Sequence, residues 1–112
     1  MTVFKRQIPE YKEMIDDHLI NILPDSNQSP KDLNQAMSYS VMNGGKRIRP
    51  LMMMAAARTI DVKIEQIMPF ATAIELLHSF SLIHDDLPCM DDDSLRRGQP
   101  TTHVKFGEAT AT

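Results

Sequence analysis

The chain has 112 residues, 42% hydrophobic and 24% charged, which suffices for one core and excludes a multidomain protein. A formal net charge of −3 sets aside a nucleic-acid binder working through a net basic face. The single cysteine, Cys89, excludes an internal disulfide and fits a reducing compartment; cytoplasmic localisation is therefore the expectation. Met1 to Glu10 lacks a signal-peptide core, and no stretch approaches the ~18 to 20 apolar residues of a membrane span, so a soluble chain is expected.

From Pro9 to about Leu23 the apolar residues Tyr11, Met14, Ile15, Leu19 and Ile22 recur at helical spacing, and Pro24 marks a stop. The turn formers of Pro24 to Ser29 lead into a second helix, near Pro30 to Met42, with Leu33, Ala36, Met37 and Val41 on one face. Asn43-Gly44-Gly45 ends it. Pro50 suits the first position of a third helix, Leu51 to about Ile60, apolar nearly all round and so expected to be buried. A fourth should run from about Ile64 or Pro69 to Leu87, with an apolar stripe of Ala73, Leu76, Leu77, Phe80, Ile83 and Leu87. Thr101 to Thr112 reads as a loop passing into a further helix. No alternating strand pattern occurs, so the fold class is all-α, part of a helical bundle. Some four helices, one apolar all round, match a finished domain poorly, and the chain is expected to be the N-terminal part of something longer.

The chemistry concentrates in two places. Asp85-Asp86-Leu87-Pro88-Cys89-Met90-Asp91, continued by Asp92-Asp93 and then Arg96-Arg97, puts five carboxylates and two guanidinium groups into thirteen residues. Carboxylates so close raise each other's pKa unless a cation neutralises them, and Mg²⁺ does so without fully dehydrating. On a straight helix Asp85 and Asp91 would point about 120° apart. Pro88 should clash with the carbonyl of His84, end the helix near Leu87 and let Asp91 fold back towards Asp85. His78, Ser81 and Asp85 form a polar stripe, His78 and Asp85 falling within about 20° of each other and roughly 10 Å apart along the axis; a solvated helix face is the plainer alternative.

The second concentration is Gly44-Gly45-Lys46-Arg47-Ile48-Arg49-Pro50, expected to be a loop because two glycines open backbone conformations and Pro50 disfavours helix at Arg49. Ahead of a helix N-terminus, Lys46 and Arg49 suit a diphosphate, although a basic surface loop has the same composition. It is not a Walker A loop, which needs longer glycine spacing and Lys followed by Ser or Thr.

These motifs, with Glu75-Leu-Leu-His78 leading to Ser81-Leu-Ile-His-Asp85, occur in the order seen in trans-isoprenyl diphosphate synthases, the polyprenyl synthetase family. The chain resembles that family across nearly all its length, the bacterial farnesyl diphosphate synthases in particular. The resemblance implies the N-terminal part of an isoprenoid-synthase-type all-α bundle, with residues 1–112 an incomplete portion of one polyprenyl synthetase domain. It implies a Mg²⁺-dependent prenyltransferase that condenses isopentenyl diphosphate with dimethylallyl or geranyl diphosphate to give farnesyl diphosphate. Asp85 and Asp91 would ligate the metal with Asp86 supporting them, and Arg96 would contact the allylic diphosphate. Lys46, Arg49, His78 and Arg97 would bind the diphosphate of isopentenyl diphosphate, Gly45 letting the backbone approach closely. Phe80 and Ser81 would floor the pocket that sets product length, although Phe80 equally fits the core stripe. A homodimer is expected when complete. Nothing matches the family's second aspartate-rich motif, so the 112 residues alone are expected not to catalyse condensation.

The alternatives are a geranylgeranyl or geranyl diphosphate synthase, a non-catalytic regulatory subunit of the same fold, and an acidic calcium binder. The last lacks the spaced ligands and terminal Glu of an EF-hand loop.

Overall fold

The computed structural model describes residues 3–112, with the side chains of Val3 and Phe4 left aside. Six helices and one short hairpin follow in order: α1 (Val3–Ile22), α2 (Lys31–Met42), α3 (Ile48–Thr59), α4 (Ile64–Asp86), β1 (Leu95–Arg96), β2 (Gln99–Pro100), α5 (Thr102–Phe106) and α6 (Glu108–Ala111). The all-α expectation holds, with one small exception at the hairpin.

The core lies where α1, α3 and α4 meet, with α2 against them. Tyr11, Ile15 and Leu19 come from α1 at four-residue spacing, Val41 from α2, Leu51 and Met54 from α3, and Met68 and Ala71 from α4. In α1 the expected face is therefore correct except at its end, where Ile22 is exposed. The helix begins at Val3, ahead of the expected start, and passes through Pro9. In α2 the buried residues are Asn34, Ala36 and Val41, while Leu33 and Met37 face outwards. Asn34 displaces them because its amide donates to the carbonyls of Gln28 (3.1 Å) and Asp25 (3.4 Å), satisfying the turn that precedes the helix.

Helix α3 starts at Ile48, so Arg49 is helical and Pro50 occupies the third position. Proline is tolerated there because the first four N–H groups of a helix lack intrahelical partners; the first such bond runs from Leu51 N to Arg47 O at 3.0 Å. This helix is not buried all round. Leu51, Met54 and Ala57 are inside, whereas Met52 is 66% exposed.

The expected stripe of α4 holds at Leu87, which is buried, and at Leu76, which packs against the core, and is otherwise displaced. Met68, Ala71, Thr72, Glu75, Ser79 and Asp86 are its buried residues, while Leu77 and Phe80 are exposed and Ala73 lies on the surface. Apolar side chains surround this helix, so periodicity could not select the inner face. Polar partners did, through Glu75 and Asp86. At 23 residues and a mean hydropathy of 1.2, α4 is also long and apolar enough by length and composition to cross a membrane, contrary to the sequence expectation, because Glu75 is the only formally charged residue between Glu65 and Asp85. Here it packs against α1, α2 and α3 and buries two carboxylates in ion pairs, as a core helix does.

The hairpin pairs Leu95 with Pro100 and Arg96 with Gln99. Its two-residue turn, Arg97-Gly98, has φ of 51° and 76°, the doubly positive pattern of a type I′ turn. The hydroxyl of Tyr39 on α2 donates to Pro100 O at 2.5 Å, and the ammonium of Lys105 lies 4.1 Å from the Tyr39 ring centroid, which fixes β2 and α5 to the bundle.

The radius of gyration is 15.5 Å, against about 13 Å for a compact domain of this length. The extents of 44 × 30 × 19 Å describe a slab whose outer face carries Phe70, Leu77 and Phe80 uncovered.

Shortening fully buried Met54 to Ala should cost about 2 to 5 kcal/mol in urea unfolding, while Met52→Ala should stay within about 0.5 kcal/mol. Equal losses would mean that α3 does not bury the side described.

Candidate functional site: a cationic cavity beside an acidic turn

The loop between α2 and α3 turns sharply, with φ of 87° at Gly44, 115° at Gly45 and 56° at Arg47. It forms one wall of an open cavity of about 550 Å³, lined by Gly45, Lys46, Arg47, Ile48 and Arg49, by Glu75 and His78 of α4, and by Arg97 of the hairpin turn. Five of the residues singled out in the sequence, Gly45, Lys46, Arg49, His78 and Arg97, are thus brought together. Glycine at 45 has a steric reason as well: a Cβ there would lie 3.0 Å from Arg97 Nη2 and 3.2 Å from Cζ, on a backbone that L side chains rarely adopt.

Lys46, Arg49 and Arg97 make no ion pair among the described residues, so the cavity presents three uncompensated cations. Arg49 Nη1 lies 3.3 Å from His78 Nε2, and since a guanidinium only donates, Nε2 is the acceptor of a neutral imidazole. Burial, then the charge of Arg49, then Arg97 and Arg96, hold the His78 pKa below its ordinary 6.5, against an opposing pull from Glu75.

Arg47 differs from its neighbours. It is 4% exposed and spends its donors inside the protein, on Asp16 Oδ1, Glu75 Oε1 and Val41 O, each at 2.8 Å. The sequence marks Arg47 and Glu75 only as members of motifs, with no role of their own, and Asp16 not at all. A lone acid on an apolar helix was the one signal that could have found the pair; Asp16, 31 residues from Arg47, gave none.

The acidic run behaves as its proline suggests. Helix α4 ends at Asp86, and the following residues wrap back: Met90 N and Asp92 N donate to Leu87 O (2.9 and 3.0 Å), and Asp91 N donates to Asp85 O at 2.8 Å. Asp91 is therefore returned beside Asp85. Asp86, grouped with these two in the sequence reading, is held differently. It is buried, and its two oxygens accept from Arg96 Nε (2.8 Å) and Nη2 (2.7 Å), which raises the Arg96 pKa, mainly through that hydrogen bond. The pair is bidentate and leaves Nη1 of Arg96 for other work.

Among the described residues, no three His, Cys, Asp or Glu side chains gather as a metal cage. Asp85 and Asp91, whose backbones meet in this turn, carry the hard oxygen donors that Mg²⁺ takes, since that ion is commonly bound through one or two carboxylates and completed by phosphate oxygens and water. Ser81 turns its hydroxyl to the carbonyl of His78 (2.7 Å), within its own helix. Phe80, 60% exposed, stands against His84 with ring centroids 5.9 Å apart and lines a separate, mainly apolar cavity of about 300 Å³ with Met37, Val41, Leu76, Ile83 and Leu87.

Known proteins resemble this chain in sequence and fold. The family model for polyprenyl synthetases matches residues 30–112. A geranylgeranyl diphosphate synthase of Pseudescherichia vulneris is 50% identical over 110 residues, covering 95% of this chain and 35% of that protein. A farnesyl diphosphate synthase of Bacillus subtilis is 44% identical over 104 residues, covering 93% of this chain and 35% of its own. Among solved structures, a geranyltransferase from Legionella pneumophila superposes with a TM-score of 0.90 at 42% identity, over 96% of this chain and 38% of the other. The chain belongs to the polyprenyl synthetase family. It spans about a third of the length of the curated relatives it matches.

Because the native His78 pKa is lowered, the unfolded chain binds more protons as pH falls through 6.5. This group should therefore reduce stability from near pH 6.5 down to its own lower pKa and contribute no further change below that. Proton NMR should place the His78 titration below 6.5, and Arg49→Gln should move it upwards; an unmoved titration would remove Arg49 as a cause.

Proposed function

We propose that this chain supplies the diphosphate-binding part of a prenyltransferase that joins isopentenyl diphosphate to dimethylallyl or geranyl diphosphate, giving farnesyl diphosphate. The observation that carries the reading is the convergence of Lys46, Arg49, His78 and Arg97 on one cavity beside the turn that returns Asp91 to Asp85. Cations without carboxylate partners suit a diphosphate, and carboxylates on a turn suit a metal that brings a second one.

In this reading Lys46, Arg49 and Arg97 seat the diphosphate of isopentenyl diphosphate, and neutral His78 adds a hydrogen bond without adding charge. Arg96, oriented by Asp86, reaches the allylic diphosphate through Nη1. The allylic carbon–oxygen bond breaks, its electron pair leaving with the diphosphate. The double bond of isopentenyl diphosphate then attacks the allylic cation, and a proton is lost. Asp85 and Asp91 would hold Mg²⁺, which when bound would supply charge neutralisation for the leaving group. The protein's part is to hold both diphosphates in register, so that ionisation and attack occur in one geometry. A homodimer belongs to the same reading and rests on the family resemblance, and a cytoplasmic location rests on the single cysteine, Cys89.

A geranylgeranyl diphosphate product is the second reading, supported by relatives of both names at similar identity. Phe80 is the residue on which the two differ, since an aromatic ring at the apolar cavity would limit chain growth.

The test is product analysis of the complete enzyme with Mg²⁺, isopentenyl diphosphate and each allylic diphosphate. A fifteen-carbon product is expected, and a twenty-carbon one would favour the second reading. Lys46→Ala should raise the KM for isopentenyl diphosphate by about tenfold or more, with a smaller effect on the allylic substrate; equal effects on both would remove Lys46 from the assigned seat. Phe80→Ala should lengthen the product, and an unchanged distribution would sink the limiting role.

A further inference from the structure

Arg47 sits in the middle of the cationic loop yet belongs to no ligand set above. Its three nitrogen atoms are committed to three different elements: Nε to Asp16 on α1, Nη1 to Glu75 on α4, and Nη2 to the carbonyl of Val41 near the end of α2. Its backbone is left-handed, φ 56° and ψ 35°, at the junction where the loop becomes α3. A non-glycine residue stays in that region only where its surroundings over-determine it. Lys46 precedes this residue directly, and Arg49 follows it on the first turn of α3.

We propose that Arg47 is a positioning residue for the diphosphate seat, its three-way anchorage holding the left-handed turn that aims Lys46 and Arg49 into one cavity. The proposal rests on the reading that this cavity takes a diphosphate. The guanidinium itself is neutralised by Asp16 and Glu75, so its contribution is direction and not charge. Lysine cannot replace it, because one ammonium on a flexible stem does not reproduce a planar fork that reaches three acceptors.

Two variants separate this role from simple stabilisation. Arg47→Lys keeps the charge and loses the fork; Asp16→Asn keeps an oxygen acceptor and removes the charge from a partly exposed partner. Binding of inorganic diphosphate to the chain is measured by calorimetry, helical content by circular dichroism, and the His78 titration by NMR. Arg47→Lys should weaken diphosphate binding by about tenfold, equivalent to one lost charge-assisted hydrogen bond, with helical content kept. The His78 pKa should rise at the same time as Arg49 moves away. Asp16→Asn should change both in the same direction by less.

Unchanged affinity and an unmoved His78 in both variants would overturn the proposal, as would an affinity loss that only tracks lost helix. Should Arg47→Lys fail to fold, Asp16→Asn decides alone by the same criteria. Failure of the unaltered chain to bind diphosphate would remove the seat and the proposal with it. A seat that binds normally and ignores both variants removes the proposal alone.

Discussion

The rest of the molecule is organised around a guanidinium that has been taken out of water. Burying an ion is costly unless charge and hydrogen bonds are both satisfied, and removing one member of such a network typically costs about 3 to 5 kcal/mol. Arg47 meets that condition with two carboxylates and a carbonyl, and Lys12, 3.1 Å from Asp16, balances the outer end of the network. The consequences reach three helices. Asp16 must follow Ile15 at the edge of the α1 core face, Glu75 must point inwards from a helix with many apolar alternatives, and α2 must end close enough for Val41 O to accept.

The same network divides the labour among neighbouring cations. Within Lys46-Arg47-Ile48-Arg49, one positive charge is absorbed by the protein and two are left to the cavity, where Arg97 joins them. Glu75 is occupied by Arg47, which is 2% exposed at its side chain, so the nearest carboxylate does not compete for an incoming anion. His78 stays neutral among these charges because burial and Arg49 both disfavour its protonation. The cavity is therefore cationic by allocation of partners; its lining residues alone include an acid and a histidine.

Which parts of this were legible in the sequence follows from what each signal measures. Periodicity located α1, α2 and α4 and the core face Tyr11, Ile15 and Leu19, because those apolar residues alternate with polar ones. It failed in α4, where the inner face is marked by Glu75, Ser79 and Asp86, residues ordinarily assigned to the outside. The burial of Glu75 and Asp86 depends on Arg47 and Arg96, and long-range pairing has no local signature. Pro50 signalled a helix start correctly, but the first turn tolerates proline at more than one position, so the boundary moved and Arg49 became helical. Pro88 was the clearest signal of all, since its consequence is local: the helix ends and Asp91 returns to Asp85. The hairpin escaped notice because Arg97-Gly98 is not among the dipeptides that usually announce a type I′ turn.

That hairpin explains how two sites of opposite charge are kept in register. Arg96 and Arg97 are adjacent, yet Arg96 is locked onto Asp86 at the end of α4 while Arg97 lies against Gly45 across the cationic cavity. Alternate residues of an extended strand face opposite sides, and the positive φ of Arg97 completes the divergence at the turn. The backbone of the acidic turn is tied to the same point, with Asp93 N donating to Asp86 O at 3.1 Å and Thr101 Oγ1 to Asp93 O at 2.9 Å. A displacement of the acidic turn must therefore drag Arg96, and with it Arg97 and one wall of the cavity. Two ligands held at these sites would have their separation set by α4 between them and by one short hairpin beside it. Neither site depends on a free loop alone, which is the constraint the proposed reaction between two bound diphosphates would require.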